Sequence, residues 1–384
     1  MPRTLQCRPP HAAATLGPRT KAEGGVFVRM EGQPLLELAE GHRAVPLLSP
    51  EKDRVPFAAA LRIIQPGAAP AQAVGAGPEP HDTLELHYTL CGAGSLLGAN
   101  GTAQPVGPGD SIISAQGAAL FTVPAGAADA GGVPAPLVML QVLLPGKLLR
   151  DAAGGLGTAH TDPADLLIRP EWSCPTVLKA GRVSQELMCS LLSRDMELTQ
   201  GDGHGGDAAA PGPGDGESAA PSGSSDPAAP AADVTLEPLA GSRPLHKRSL
   251  SGVRAWQLPN ATNQLALVFG PHLDPELSMT FGVEMFEPGH RTTRHIHTSA
   301  YEMFVVLGGQ GVGISNGEEV PIRAGDVAVF PPYVVHAIDN TSDRRLYCLQ
   351  MMLPNDMFAE FVTSGSLLDP LDSADMGHII SGSC

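Results

Sequence analysis

The chain is written in short apolar runs. Residues 302–307 (Glu-Met-Phe-Val-Val-Leu), 327–330 (Val-Ala-Val-Phe) and 349–353 (Leu-Gln-Met-Met-Leu) are typical, and each is closed by Gly or Pro. Runs of this length, broken by turn-forming residues and recurring along the chain, predict an all-β fold of sandwich or barrel type. Helical spacing shows in two places. Leu187, Leu191 and Leu192 recur at helical intervals within 183–198, and Met357, Phe358 and Phe361 share one side of 356–362, where Asn355 is placed to cap. The longest apolar runs fall far short of the roughly 20 residues a membrane helix needs. Residues 201–233 are almost wholly Gly, Ala, Pro, Ser and Asp without apolar periodicity. Such a stretch buries too little surface to offset its ordering entropy, which predicts a disordered linker.

The halves on either side of that linker repeat each other. Glu85 leads to Gly92 as Glu302 leads to Gly309, and Asn100-Gly101 matches Asn316-Gly317 as a hairpin-turn signal. Gly109-Asp110 matches Gly325-Asp326, and Leu-Gln-x-x-Leu-Pro at 140–145 returns at 349–354. This predicts a duplicated domain. The expected order is a flexible tail or transit peptide at 1–24, a first barrel at 25–146 and a connecting segment with a helix at 147–200. The linker at 201–235 and a second barrel with a terminal helix at 236–384 complete it. Duplication also supplies an internal control, because features in both copies build the fold and features in one copy are candidates for chemistry. Gln141 and Gln350 fall in the architectural group. The histidines do not.

Of 13 histidines, His290, His295 and His297 lie with Glu302 inside fourteen positions, and His336 follows eleven residues after Gly325. At the equivalent interval after Gly109 the first half has Leu120, and in place of His-x-His it offers Pro78, Glu79, Pro80 and His81. Side chains alternate across a strand, so His295 and His297 share a face. Glu302 opens an apolar run in which an ionised carboxylate is costly to bury without a partner, and a cation would satisfy it. Three neutral imidazoles and one carboxylate leave coordination positions open on a metal.

These residues resemble a known family. Gly289, His295-x-His297, Glu302 and Gly309 have the spacing of the first cupin motif, and Gly325, Pro331, His336 and Asn340 that of the second, with Tyr333 where glycine is usual. The resemblance covers about 110 residues from 277 to the mid-360s directly, and the first half through the repeat. It implies a bicupin: two double-stranded β-helix (jelly-roll) barrels with a few short helices, the N-terminal one degenerate. It also implies one divalent metal, Fe, Mn, Ni or Zn, held by His295, His297, Glu302 and His336.

Around this set, Arg291 is either a clamp for a substrate carboxylate or a solvated loop residue, and Tyr333 at the barrel mouth either meets substrate or packs. Phe304 and Ile338 share parity with the ligands and read as the apolar pocket wall. His290 is assigned to the rim or a supporting position. With 40 acidic against 24 basic residues the net charge is -16, and no basic patch offsets it, which argues against a nucleic-acid partner. Six cysteines without a Cys-x-x-Cys pair read as free thiols of a reducing compartment. Arg3, Arg8, Arg19 and Lys21 precede the first acid, Glu23, as in a transit peptide. The expected protein is intracellular, cytoplasmic or organellar, neither secreted nor membrane-bound, and a monomer or homodimer. Its expected role is a metal-dependent enzyme on a small polar metabolite, of dioxygenase or redox-neutral isomerase, decarboxylase or aminohydrolase type. The alternative is a non-catalytic module that binds a small ligand.

Overall fold

Strand Tyr301–Gly308 shows how the apolar runs fold. Met303, Val305 and Leu307 face one way into a core cluster shared by both halves of the chain, while Phe304 and Val306 face the other way into a separate cluster. A strand buried on both faces needs no polar alternation, which is why its sequence is solidly hydrophobic. The structure is a computed structural model, and it describes residues 19–70, 83–98, 102–115, 119–127, 135–145, 178–184, 187–188, 234–236, 245–275 and 277–380.

The described residues form two nine-stranded and two three-stranded sheets, all antiparallel. In one large sheet Ala58–Ile64, Leu137–Pro145, Thr83–Cys91 and Asp110–Ala115 are neighbours in that order; in the other, Thr280–Phe286, Leu346–Leu353, Tyr301–Gly308 and Asp326–Phe330 repeat it. A three-stranded sheet accompanies each, Gly94–Leu97 at the centre of one and Gln310–Ser315 at the centre of the other. The fold is therefore all-β and duplicated, with two jelly-roll barrels. They pack through their large sheets, where Tyr88 meets Phe281 edge-on at 6.1 Å and Phe57 meets Tyr301 at 6.4 Å.

Each barrel borrows an edge from the other half. Gly25–Arg29 pairs with Asp326–Phe330 of the C-terminal barrel, and Leu245–Ser249 pairs with Asp110–Ala115 of the N-terminal barrel. The exchange covers two sheet edges that would otherwise present unpaired backbone groups. Arg19–Ala22, assigned above to the tail, is a strand against Gly25–Arg29, and Val234–Leu236, at the end of the expected linker, pairs with Leu245–Ser249.

The turns follow the sequence. Asn316 (φ 47°) and Gly317 (φ 89°) are both left-handed and join two strands in register Ser315 to Glu318, the two-residue hairpin that Asn-Gly favours. Gly309 and its counterpart Gly92 also have positive φ, and a Cβ on either would meet a backbone oxygen, 2.7 Å from Arg345 and 2.0 Å from Pro136. The terminal helix is Phe358–Thr363, and Asn355 Oδ1 accepts from the Ala359 amide at 2.8 Å. A further helix, Ser373–Ile380, and a strand, Ser366–Pro370, went unpredicted. Most of the helix expected at 183–198, the 201–233 linker and Asn100-Gly101 lie outside the described residues. No described helix is long and apolar enough to cross a membrane. Cys348 is a free, buried thiol but Cys91 is engaged in a disulfide, so the reading of six free thiols is corrected. A bond made by tertiary proximity leaves no trace in cysteine spacing.

Candidate metal centre

The four residues of the expected metal set come together. His295 and His297 sit in an extended segment before Tyr301–Gly308, not in a regular strand, and the segment is tied down by backbone bonds. His336 donates to the His295 carbonyl at 2.9 Å and Tyr333 to the His297 carbonyl at 2.8 Å. His336 begins its own strand, and Glu302 is the second residue of Tyr301–Gly308; both are buried. Among the described residues these four form the group of His, Cys, Asp and Glu able to hold a metal, their donor atoms all within 4.8 Å of one another.

Glu302 Oε2 is the hub. It lies 2.8 Å from His336 Nε2, 3.4 Å from His297 Nε2 and 4.0 Å from His295 Nε2. The far ring nitrogens are already committed: His295 Nδ1 meets the Thr293 carbonyl at 2.9 Å and His336 Nδ1 the Val334 carbonyl at 2.8 Å. A carbonyl only accepts, so each Nδ1 carries a hydrogen, and a neutral ring then turns its Nε2 lone pair toward Glu302. His297 Nε2 is buried without a hydrogen-bond partner. Lone pairs facing a carboxylate are the donor set of a divalent cation, and carbonyl-oriented imidazoles are the usual support of such ligands. The residues fit a metal.

The electrostatics agree. Burial alone would raise the Glu302 carboxyl, but the His297 and His336 rings that face it pull it well below the ordinary carboxylate range. Burial lowers His295, with Glu302 only partly opposing. Burial also works against charging His297, yet the Glu302 carboxylate 3.4 Å away, helped by the charge of Asp356, leaves it raised. Two polar residues orient the set. Gln350, read above as purely architectural, donates through Nε2 to Glu302 Oε1 at 3.0 Å and so fixes the carboxylate. Its polarity within an apolar strand was the available signal. Asn340, the last residue of the second motif, donates to the carbonyls of Phe286, Glu287 and Arg344 and shapes the turn behind His336.

Phe330 stacks on the His336 ring at 4.6 Å and 9°, and with Phe304 and Ile338 it belongs to the apolar cluster beneath the set. Tyr333 is 57 % exposed, on a backbone with φ 64°. Arg291 turns to Asp339, 3.1 Å away, which Arg294 also engages, and its side chain is 71 % exposed. His290 is bonded by Thr262 and Thr292 and packs on Phe286, apart from the four. Sequence reasoning missed Glu284, a buried carboxyl of the same barrel that Asn263 holds through its amide. In the N-terminal barrel Glu85 is also buried, against His87 at 3.1 Å, while Glu79 and His81 lie outside the described residues.

Comparison with known proteins places this geometry. Residues 282–352 match the family described as the cupin domain. A curated relative, the oxalate-binding protein of Thermotoga maritima, is 36% identical over 66 residues, 17% of this chain and 54% of that protein. The chain thus spans about half the length of the curated relative it matches. Among solved structures, a glyoxylate-induced protein from Pseudomonas aeruginosa aligns at TM-score 0.49 and 11% identity over 89% of this chain and 93% of its own. Bacillus subtilis oxalate decarboxylase aligns at 0.45 and 12% over 90% and 79%. Both cupin motifs fall within the matched span and close on one quartet: residues 282–352 carry a cupin domain.

Proposed function

We propose that the C-terminal barrel holds one divalent transition metal, Fe, Mn, Ni or Zn, on His295, His297, Glu302 and His336, and acts as an enzyme on a small carboxylate of the oxalate type. The observation that carries this reading is the convergence of three imidazole nitrogens on Glu302 within 4.8 Å, with the opposite nitrogens of His295 and His336 bonded to backbone carbonyls. Bound there, the metal supplies Lewis acidity and open coordination positions for substrate or dioxygen. The chain's own groups do the rest. Gln350 fixes the carboxylate, Phe304, Phe330 and Ile338 exclude water from beneath the set, and Tyr333 stands at the rim. The substrate class is taken from the oxalate-binding relative, and a small carboxylate can occupy the open positions without a large pocket. Dioxygenation and redox-neutral isomerisation, decarboxylation or aminohydrolysis all suit such a site.

A second reading is binding without turnover, favoured by the same relative's description as an oxalate-binding protein. One experiment separates them: elemental analysis of the parent, His295→Ala and His336→Ala proteins, with oxalate titration and turnover on the loaded parent. The enzyme reading expects about one metal ion per chain in the parent, strong loss in both variants, and turnover or dioxygen uptake. Oxalate binding without turnover selects the second reading, and equal metal in all three proteins overturns both.

A further inference from the structure

The Gln350 amide has two polar ends, and the fold uses one of them. Its Nε2 donates to Glu302 Oε1 at 3.0 Å, while its Oε1 is buried without a hydrogen-bond partner on a residue 0% exposed. Chemistry settles which end is which. A carboxylate that holds a metal only accepts, so the NH2 faces Glu302 and the carbonyl faces elsewhere. The two ends share one carbon, so Oε1 lies within about 6 Å of Glu302 Oε1 whichever way the amide plane turns. Across its two strand pairs Gln350 faces Phe304 and Gly282, and neither has a side-chain donor to offer.

The twin in the N-terminal barrel shows what such a carbonyl requires. Gln141 Oε1 accepts from the Arg62 guanidinium at 3.2 Å. Strand register puts Glu284 where the N-terminal barrel has Arg62: Ala60 faces Gln141 and Gly282 faces Gln350, and each of the two residues lies two positions further along its strand. The donor of one barrel is thus a carboxyl in the other, and that carboxyl is taken up by Asn263. Leaving a buried carbonyl without a donor is costly. The N-terminal barrel avoids that cost, and the C-terminal barrel keeps it beside the hub of the quartet.

We infer that Gln350 Oε1 selects the substrate, which is a small carboxylate carrying an N–H or O–H donor on the adjacent carbon rather than the oxalate dianion. The inference rests on the reading above, that the quartet takes a small carboxylate on its metal, and it names the class more narrowly. Selection works in both directions. An amide, amine or hydroxyl supplies the hydrogen that Oε1 lacks, whereas a second carboxylate sets one acceptor against another. A buried group built to bond a donor rejects the analogue without it.

Oxamate provides the test, because it is oxalate with one carboxylate oxygen replaced by NH2. The full chain and its Gln350→Met and Gln350→Leu variants are loaded with Mn(II), freed of excess metal and checked by elemental analysis, then titrated calorimetrically with oxamate and with oxalate. We expect the parent to bind oxamate at least as tightly as oxalate, although oxalate offers the metal more charge. The ratio of oxamate to oxalate affinity should fall about five- to ten-fold in both variants, because one hydrogen bond is lost and one repulsion relieved. Taking a ratio removes any general weakening that the variants cause at the metal. Oxalate bound more tightly than oxamate by the parent overturns the inference and leaves the carboxylate reading in place, and this comparison needs no variant to fold. A ratio that the variants leave unchanged, as when a water serves the carbonyl, overturns it too. If the loaded parent binds neither anion, the carboxylate reading itself fails and the inference falls with it.

Discussion

Arg29 Nε lies 3.1 Å from Asp326 Oδ1, and the bond has a mirror image in the other barrel, where Lys247 Nζ lies 2.9 Å from Asp110 Oδ2. Both aspartates belong to the repeated Gly-Asp turns, and both cations ride on the strands the halves exchange. The pairing locks each borrowed edge in register at the point where the sheet turns. Asp326 is buried, and that burial already raises its carboxyl against the pull of Arg29. Arg29→Ala should therefore destabilise the protein by about 2 kcal/mol, below the roughly 3–5 kcal/mol of a fully buried pair because Arg29 is partly exposed. Urea denaturation measures it, and a loss below about 0.5 kcal/mol would show that the pair does not anchor the arm.

The exchange also determines what a fragment can do. A chain of residues 236–384 lacks Gly25–Arg29 and leaves Asp326–Phe330 as an uncovered edge whose Val327 and Val329 are deprived of Val28 and Val26. Edges of this kind template self-association. The fragment should self-associate in sedimentation experiments, and fusing residues 19–30 to it should restore a single species. A monodisperse fragment without the fused arm would refute the anchoring role of the strand.

Glu284 predicts a pH dependence. Burial first, and the nearby Glu302 charge second, raise its carboxyl from 4.5 to about 8. Between those values the folded chain holds a proton that the unfolded chain has released, so its contribution is complete below about pH 4.5 and is lost as pH rises through about 8. Glu284→Gln keeps the shape, has nothing to ionise, and should gain stability relative to the parent between pH 6 and 9. Denaturation of both proteins in chelator across that range checks the slope; parallel curves would place the carboxyl in a hydrated site.

How much of this was readable beforehand depends on how local the signal was. His295-x-His297 and Glu302 share one short stretch, and strand parity alone aims the histidine pair. Asn316-Gly317 carries its turn in two residues. Glu284 and Arg62 are single polar letters in apolar strands, and only pairing with Leu346–Leu353 and Leu137–Pro145 shows that they sit at matching positions. The exchanged strands are less legible still. Nothing in Gly25–Arg29 announces a partner some 300 residues away, because edge pairing uses backbone groups that every sequence has.

Gln350 tests the support of the metal set. Gln350→Leu preserves an apolar strand but removes the amide that donates to Glu302 Oε1. Losses of this kind usually lower metal affinity about 10–100-fold. Competition with a chromogenic chelator should show that loss with the thermal midpoint little changed, whereas unchanged affinity would return Gln350 to the architectural role its twin Gln141 suggested.

Tyr333 occupies the position where the cupin motif ordinarily has glycine, and the reason for glycine is visible in its φ of 64°. Its amide is fixed on the His297 carbonyl at 2.8 Å, so the backbone cannot relax without disturbing the ligand segment. A tyrosine held left-handed there stores strain of order 1 kcal/mol. Tyr333→Gly should then raise stability by about 1 kcal/mol and leave metal content intact, because none of the four donors moves. If the midpoint falls instead, the ring's contacts at the rim outweigh the strain of its backbone. If it rises and oxalate affinity falls, the strain is retained because the ring faces the ligand.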